Sequence, residues 1–315
     1  MGLIELFSTA DQFKQPLNAD GTVQLIGGLL ERYQKYLIAI AEDIISVCEE
    51  ENIAYHLTGG SALGAVRHGG FIPWDDDMDI DILGSDFDRF EKAFLARFSD
   101  KYWLHTYKKK NYGILVSRVR LKNSVFRTRE DAYNDECGFF VDIIRIENTF
   151  DNPVLRFIHG MECMRMGFLL SCRNYFHYRK RVLAMAGNNK KLISVLKTKI
   201  FIGRLLSFRS LDRWAEKTQR CYSRCRNNRS VYVSVPAGRR HFFGELYRRD
   251  GFVETVRMNF EGHWWNVPKD YDAYLRNMYG DYMRLPAPDR REGHVILEIK
   301  FPEDMEPSSD GGQDA

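Results

Sequence analysis

The sequence predicts an α+β fold, in which a mixed sheet is flanked by helices and joined by an additional helical region. Three observations predict it. Apolar residues recur at helical spacing over 22–51. Downstream, segments with strand character alternate with two helical segments before several strands follow one another. With 44% hydrophobic and 28% charged residues among 315, the chain has the composition of a globular protein with a substantial core.

The first half of the chain reads as helix, strand, helix, strand, helix and then several strands. The strand predicted at 53–57 leads into a glycine turn, and a short helix at 62–68 follows it. Alternation of apolar and acidic residues predicts a half-buried strand at 78–83. A helix at 86–98 comes next, and the remaining strands are predicted at 102–107, 112–121, 125–128 and 139–146.

The second half begins with a mostly helical, basic stretch and then returns to short strands with one helix, at 271–279. We therefore divide the chain into five parts. They are an N-terminal helical segment at 1–51, a core domain at 52–150, a basic helical region at 151–229, a C-terminal block packing on the core at 230–301 and a disordered tail at 302–315.

The net charge of +3 conceals a strong asymmetry. The basic helical region contains 18 Lys and Arg residues but 4 Asp and Glu residues, a net charge of +14, which leaves −11 for the rest of the chain. Such a region suits an anionic membrane surface or a phosphate-bearing glycan, with solvated helix faces as the ordinary alternative. A nucleic acid is the least expected partner, because no recognised binding module accompanies these residues.

The stretch Asp75–Asp81 holds five aspartates in seven positions. Residues i and i+2 of a strand point to the same side, so these carboxylates would face together while Met78 and Ile80 enter the core. Neighbouring carboxylates repel each other strongly, and no Lys or Arg lies between His68 and Arg89 to compensate them. Oxygen ligands of this kind select a hard divalent cation, so the sequence predicts Mg²⁺ or Mn²⁺ as the cofactor.

Two further features complete a site for phosphate chemistry. Glycines at the turn Gly59-Gly60-Ser61 let a phosphate approach the backbone, and the N-terminus of the following helix favours its negative charge. Asp142 stands alone among apolar residues of a predicted strand, where a carboxylate without a function would be costly. Together with the acidic strand, these residues predict the transfer of a phosphate-containing group between oxygens.

Three blocks of the sequence resemble the LicD family, which belongs to the nucleotidyltransferase superfamily typified by DNA polymerase beta. The first block, LTGGSALGAVRHGGFIPWDDDMDIDI at 57–82, is long and highly specific. The others are FFVDIIRIEN at 139–148 and FEGHWWNVPKDYDAYLRNMYGDYMRLP at 260–286. The resemblance implies that the core domain is a nucleotidyltransferase-like catalytic domain built on a mixed sheet.

The resemblance also implies that the protein moves a phospho-alcohol, phosphocholine above all, from a CDP-activated donor to a glycan hydroxyl. The acceptor would be lipopolysaccharide, capsule, teichoic acid or a lipid-linked precursor. By position, the superfamily's metal-binding pair falls on Asp77 and Asp79, and its third carboxylate on Asp142. MDIDI also fits a pair at Asp79 and Asp81, although the spacing from Pro73-Trp74 favours the first choice.

The phosphates and the nucleotide are expected at a second group of residues. The superfamily's Gly-Ser turn falls on Gly60 and Ser61, next to Gly59. Four basic side chains complete the group, with helix capping or a solvent-facing strand as the alternative explanation for them: Arg67, His68, Arg118 and Arg120. The block at 139–148 departs from the family at Arg145-Ile-Glu147, which leaves the metal site intact but bears on the substrate.

Two other functions compete with this interpretation. One is a nucleotidyltransferase that joins a nucleoside monophosphate to a small alcohol or sugar phosphate with the same residues. The other is a non-catalytic glycan- or nucleotide-binding protein of the same fold, against which the complete set of carboxylates counts. We expect a cytoplasmic protein at the inner face of the membrane, because the sequence shows neither a basic leader nor a run of 18 apolar residues.

Overall fold

The computed structural model describes residues 15–16, 23, 25–128, 131, 134–186, 190–287 and 291–305. The structure thus describes only part of the predicted N-terminal segment. Of the predicted disordered tail it describes residues 302–305, and the rest of both segments lies outside the described residues. These four tail residues are ordered. Pro302–Asp304 forms a 3-10 turn, and Glu303 accepts hydrogen bonds from the Tyr36 hydroxyl (2.7 Å) and the Arg32 guanidinium. The expectation of disorder from 302 onward is therefore wrong for this segment.

The described residues combine helices with a mixed sheet, which confirms the predicted α+β class. The helices are α1 (Gly28–Glu50), α2 (Gly59–His68), α3 (Phe87–Phe98), α4 (Pro153–His177), α5 (Arg179–Met185), α6 (Lys190–Leu205), α7 (Leu211–Tyr222), α8 (His241–Gly244), α9 (Arg249–Phe252) and α10 (Tyr271–Tyr279). Within the described ranges, no helix has both the length and the apolar composition needed to cross a membrane.

One mixed sheet forms the centre of the molecule. The strands, in chain order, are β1 (Gln15–Pro16), β2 (Tyr55–Leu57), β3 (Asp79–Leu83), β4 (Tyr102–His105), β5 (Ser117–Leu121), β6 (Val125–Thr128), β7 (Phe140–Asn148), β8 (Tyr232–Ser234), β9 (Leu246–Arg248), β10 (Thr255–Phe260), β11 (His263–Pro268), β12 (Glu292–Gly293) and β13 (Ile296–Lys300). The sheet has the order β2-β3-β7-β5-β4, and β8 and β9 extend it from the end of β7. β3 and β7 run parallel, whereas the other neighbours are antiparallel.

Helix α1 packs its apolar stripe on the core of the sheet, as its helical periodicity predicts. Tyr33, Leu37, Ile40 and Ile44 recur at intervals of three or four residues and are all buried. The ring of Tyr33 stacks on Phe126 with 4.6 Å between ring centroids. Each fully buried aliphatic side chain of this kind contributes about 1.5–3 kcal/mol. The stripe therefore holds α1 on the sheet that carries the aspartates.

The basic helices are inserted between two paired strands of the sheet. The chain leaves β7 at Asn148 and returns at β8, which pairs antiparallel with the end of β7. Helix α4 starts with Asn152, whose side chain accepts from the backbone N–H groups of Val154 (2.9 Å) and Leu155 (3.1 Å), and with a proline at its first position. It packs on α6 and α7 and shares with α7 an apolar cluster around Trp214 that is separate from the sheet's core.

The last part of the chain covers the helix that follows the glycine turn. β10 and β11 form an antiparallel hairpin that contacts α2 and β2, and α10 lies beside it. Phe260 on β10 packs edge-to-face against Phe71, with 4.9 Å between ring centroids. These contacts fix the turn between β2 and α2 from the side opposite α1.

Glu245 is a buried carboxyl group between α8 and β9. Its Oε1 accepts a hydrogen bond from the backbone N–H of Arg240 (2.8 Å), and the residue is 4% exposed. Burial raises the pKa of Glu245 to about 7, although Arg240 opposes the shift. Because Asp81 also faces it, ionisation of Glu245 adds a second negative charge to a buried region.

We expect Glu245→Gln to remove part of the pH dependence of stability. A carboxyl group with a raised pKa in the folded state stabilises fully below its unfolded pKa and loses that contribution as the pH rises through the folded value. A rise of the Glu245 pKa from 4.5 to about 7 corresponds to a loss of about 3 kcal/mol in the free energy of unfolding. Urea unfolding at pH 4.5 and pH 8 should show this loss in the wild type and not in the variant.

The exposed Glu254, which pairs with Lys269 at the surface, supplies the control. Glu254→Gln should lose stability with pH as the wild type does. A Glu245→Gln variant that behaved like the wild type between the two pH values would contradict the proposed burial of this charge.

Candidate active site

The parallel pairing of β3 and β7 places two of the predicted catalytic aspartates side by side. Asp79 begins β3 and is the register partner of Asp142 in β7. The backbone N–H of Asp142 donates to the carbonyl of Met78 (2.9 Å), which locks this register. Met78 and Ile80 are fully buried, so the apolar side of the alternation fixes the acidic side at the surface of the core.

The glycine turn lies directly against these carboxylates. Gly59 has a φ of +56°, and a Cβ built on it would lie 2.8 Å from Asp79 Oδ2. A Cβ on Gly60 would lie 2.6 Å from Asp75 Oδ2. The buried Ser61 hydroxyl accepts a hydrogen bond from the backbone N–H of Asp79 (3.0 Å). The turn therefore needs two residues without side chains so that the backbone and the carboxylates can approach each other closely.

The carboxyl groups of this site are crowded in a partly desolvated place. Burial raises the pKa of Asp79 well above its ordinary value, and the charges of Asp77 and Asp142 add to the shift. Burial also raises the pKa of Asp75, with Asp77 and Asp76 as further causes. Full ionisation of the cluster would therefore place more negative charge here than its surroundings stabilise.

His294 is a site residue that the sequence did not indicate. Its backbone N–H donates to Asp76 Oδ2 (2.9 Å), and its Nδ1 lies 3.0 Å from Asp76 Oδ1. Burial raises the pKa of Asp77, and His294 opposes this shift. Ligand atoms of Asp76, Asp77 and His294 lie within 4.8 Å of one another. More than 200 residues separate His294 from the acidic stretch, so the spacing of motifs gives no signal for this contact.

Two of the predicted basic residues lie on β5, beside β7, but have different surroundings. Arg118, its register partner on β5, donates from Nε to Asp142 Oδ1 (2.8 Å). Arg120 has no exposed surface and pairs with the buried Asp131, with 2.8 Å between Nη2 and Oδ2. Arg118 therefore belongs to the site, whereas Arg120 lies beneath it in an internal ion pair, where no phosphate reaches it without a rearrangement. Its predicted contact with phosphate stays a prediction.

The other predicted basic residues lie at the far end of α2. The Arg67 guanidinium donates to the carbonyl of Tyr282 (2.5 Å), and His68 is exposed beside it. Burial lowers the pKa of Arg67, whereas Asp75 is among the groups that oppose the shift, so Arg67 lies near the acidic cluster. The Arg67–Tyr282 bond ties α2 to the segment after α10. Whether either side chain contacts a nucleotide stays a prediction.

Two tyrosines of α10 close the site from the C-terminal block. The Tyr274 hydroxyl lies 2.7 Å from Thr58 Oγ1 and accepts from the backbone N–H of Gly59 (2.8 Å). Burial raises the pKa of Tyr279, and the charges of Asp79 and other aspartates increase this shift. Arg239 opposes the shift. Tyr274 therefore holds the glycine turn, and Tyr279 faces the carboxylates.

Asp81 lies one layer deeper than the other aspartates. It is 1% exposed and is the cross-strand partner of His56. Burial raises its pKa well above the ordinary value, with Glu245 as a further cause. A group in this position contacts the core and not the surface at which Asp79 and Asp142 meet.

Comparison with known proteins gives this arrangement a class. Residues 52–156 match the family model described as LicD/FKTN/FKRP, nucleotidyltransferase domain. The lipopolysaccharide cholinephosphotransferase LicD of Haemophilus influenzae is 25% identical over 274 residues, 85% of this chain and 97% of that protein. The human ribitol 5-phosphate transferase FKRP is 48% identical over 46 residues, 15% of this chain and 9% of that protein. An uncharacterised protein of Rickettsia typhi is 41% identical over 56 residues, 18% of each chain.

The site and these matches define a transferase of phosphorus-containing groups. The match to the family domain includes the glycine turn, the acidic strand and Asp142, which are the residues that the structure brings together. Over residues 52–156 the chain is similar to the LicD family, and over most of its length it is similar to the Haemophilus influenzae protein.

We expect Gly59→Ala to lower activity more than it lowers stability. The new methyl group would lie 2.8 Å from Asp79 Oδ2 and would push this carboxylate out of place. Gly27 has the same φ of +56° with no atom within 4 Å, so Gly27→Ala carries the backbone strain alone. That strain costs about 1–2 kcal/mol. Thermal unfolding measures stability, and the rate of transfer of the phosphorus-containing group measures activity.

Loss of turnover by at least tenfold in Gly59→Ala, with turnover of Gly27→Ala near that of the wild type, is the expected pattern. Equal turnover in the two variants would contradict the close approach between the turn and Asp79.

Proposed function

We propose that the protein transfers a phospho-alcohol, phosphocholine above all, from a CDP-activated donor to a hydroxyl of a cell-surface glycan or its lipid-linked precursor. The observation that carries this proposal is the pairing of Asp79 with Asp142 beside the turn at Gly59–Ser61. The name of the Haemophilus influenzae relative supports phosphocholine and a lipopolysaccharide acceptor, and that of FKRP supports an alcohol phosphate. In this account the sheet is a nucleotidyltransferase-like one.

The donor set of the site fits a hard divalent cation. Its oxygens come from buried carboxyl groups whose charges raise one another's pKa, which is the repulsion that a cation relieves. Asp77, Asp79 and Asp142 would hold Mg²⁺ or Mn²⁺, and the burial of Asp81 favours this set over one that includes it. The cation supplies neutralisation of the charge that develops on the phosphate oxygens.

The residues of the chain position the reactants for an in-line displacement. Backbone N–H groups at the glycine turn and the N-terminus of α2 bind the donor's phosphates. The acceptor oxygen forms a bond to the phosphorus that carries the alcohol, and the bond from that phosphorus to the bridging oxygen breaks, so that CMP leaves. Asp142 accepts the proton of the attacking hydroxyl. The guanidinium of Arg118 holds the Asp142 carboxylate in place for this transfer.

The basic helical region supports a peripheral membrane contact. Helix α4 exposes an apolar stripe at helical spacing, with Val154, Phe157, Ile158 and Met161 each more than half exposed. The helical region 151–229, to which α4 belongs, carries a net charge of +14. An apolar stripe within a basic surface is the pattern that binds the interface of an anionic bilayer. We propose that this stripe brings the enzyme to the cytoplasmic face, where lipid-linked glycans are assembled.

We expect Asp79→Asn and Asp77→Asn to reduce CMP release from CDP-choline in Mg²⁺ by about a thousandfold. Each change removes an ionised ligand and keeps the size of the side chain. Because the change also relieves repulsion among the carboxylates, the melting temperature without Mg²⁺ should be no lower than in the wild type. The control is Asp88→Asn, whose side chain is 87% exposed on α3 and which should leave turnover unchanged.

Turnover near that of the wild type in both site variants would rule this assignment out. Chromatography of the products separates the competing chemistry, because a nucleotidyltransferase acting on CTP would release pyrophosphate in place of CMP.

We expect Phe157→Ser to reduce co-flotation with vesicles of phosphatidylglycerol and phosphatidylcholine by about tenfold, because it removes the central apolar side chain of the stripe. The control is Leu297→Ser on β13, which replaces an exposed apolar side chain outside the basic region. Wild-type protein that stayed with the unbound fraction, or equal losses in the two variants, would contradict a membrane contact through α4.

A further inference from the structure

A cavity of about 750 Å³ lies between the basic helices and the catalytic sheet. Its walls come from the segment 109–116, from the middle of α4, from α5 and from the loop 236–242. A volume of this size accommodates a ligand of one or two sugar rings. The cavity forms only because the helical region is inserted between β7 and β8 and folds back over β5.

The cavity borders the carboxylate site on one flank. Arg118 lines it and donates to Asp142 Oδ1 (2.8 Å), so a single side chain separates the cavity from the third aspartate, which is not itself part of the described walls. Arg239, which faces Tyr279 of the active site, lines it as well. The turn at 59–61 and the acidic stretch at 75–79 are absent from its walls in the described part of the chain. In the sheet, the turn lies on the β2 side of Asp79 and the cavity on the β5 side of Asp142.

The lining is strongly cationic. Five basic side chains contribute to it, namely Lys109, Lys110, Arg118, Arg181 and Arg239. Among its described lining residues the one acid is Asp131, which pairs with Arg120 (2.8 Å). Two of the cations are paired in the same way, Lys109 with Glu136 and Arg118 with Asp142. Such a lining favours an anionic ligand, because guanidinium groups bind phosphate and carboxylate in fixed geometry. It disfavours the quaternary ammonium group of a choline donor.

Aromatic rings complete the walls. Phe168 and Tyr175 of α4 line the cavity together with Tyr112 and Tyr222. Flat apolar faces next to charged groups match a ligand that presents a ring face and a negative charge, such as a sugar phosphate or a sugar acid.

We infer that this cavity binds the acceptor, and that the acceptor presents a sugar bearing a phosphate or carboxylate group. This inference rests on the proposed transferase activity. An in-line displacement needs the attacking hydroxyl on the side opposite the leaving nucleotide. With the donor's phosphates at the glycine turn, the attacking group enters from the Asp142 flank, where the cavity opens. The acceptor hydroxyl then lies at Asp142, and its anionic group lies deeper in the cavity against Arg181.

Calorimetric binding of three probes tests this inference: glucose 6-phosphate, glucose and CDP with Mg²⁺. The wild-type protein should bind glucose 6-phosphate, and glucose should bind much more weakly. Arg181→Ala should weaken glucose 6-phosphate binding by about tenfold, the cost of one charge-assisted contact, and Arg181→Lys should restore part of it. Tyr175→Ala should weaken it as well, whereas affinity for CDP should stay within twofold.

The control is Arg213→Ala, an exposed residue of α7 that does not line the cavity. It should leave all three affinities unchanged, which separates a local effect from the overall positive charge. Failure of wild-type protein to bind glucose 6-phosphate, or equal binding by Arg181→Ala, would overturn the inference. Loss of CDP affinity in the cavity variants would also overturn the inference, because that result would show that the cavity binds the donor nucleotide. If instead Asp79→Asn keeps its turnover, the proposed function fails while the binding result stands.

Discussion

The parallel contact between β3 and β7 is the constraint on which the active site depends. Asp79 and Asp142 are 63 residues apart in the chain, and only this strand pairing makes them neighbours. The pairing is stabilised by Met78, Ile80 and Ile143, which are fully buried on the opposite side of the same strands. The core therefore stabilises the register, and the register brings negative charges together that would otherwise separate. In the proposed account, a cation and a diphosphate bind where these charges meet.

The acidic strand and its partners were predictable because their signals are local. Alternation of aspartates with Met78 and Ile80 shows which side chains are buried, and Gly59-Gly60 marks a turn that tolerates no side chain. Asp142 was predictable as a lone charge in an apolar strand. The LicD family resemblance then assigned these residues to one site, and the structure brings Asp79, Asp142 and the turn together.

Other parts of the site depend on contacts between distant segments, which one sequence does not reveal. Arg118 and Arg120 point to the same side of β5, and both are buried. Arg118 donates to Asp142 and lies 3.8 Å from Asp131, whereas Arg120 pairs with Asp131 alone among these two carboxylates. His294 reaches Asp76 from the far end of the chain. The ordered turn at 302–304 depends on Tyr36 and Arg32 of α1, and composition alone suggested disorder there.

The inserted helices contribute both to the cavity and to the surface. Of the five basic side chains that line the cavity, Arg181 belongs to the insertion, whereas Lys109, Lys110, Arg118 and Arg239 come from segments outside it. The insertion also carries the exposed apolar stripe of α4. In the proposed account, a single insertion thus connects a surface suited to an anionic bilayer with a pocket suited to an anionic sugar.

The central claim is that the acceptor oxygen attacks the phosphorus atom that carries the alcohol. Hydrolysis of CDP-choline by the enzyme in ¹⁸O-labelled water, followed by mass spectrometry of both products, tests it most directly. The account predicts label in phosphocholine and none in CMP, because the bond from the choline-bearing phosphorus to the bridging oxygen breaks. Label in CMP would contradict it and would assign nucleotidyl transfer to this site.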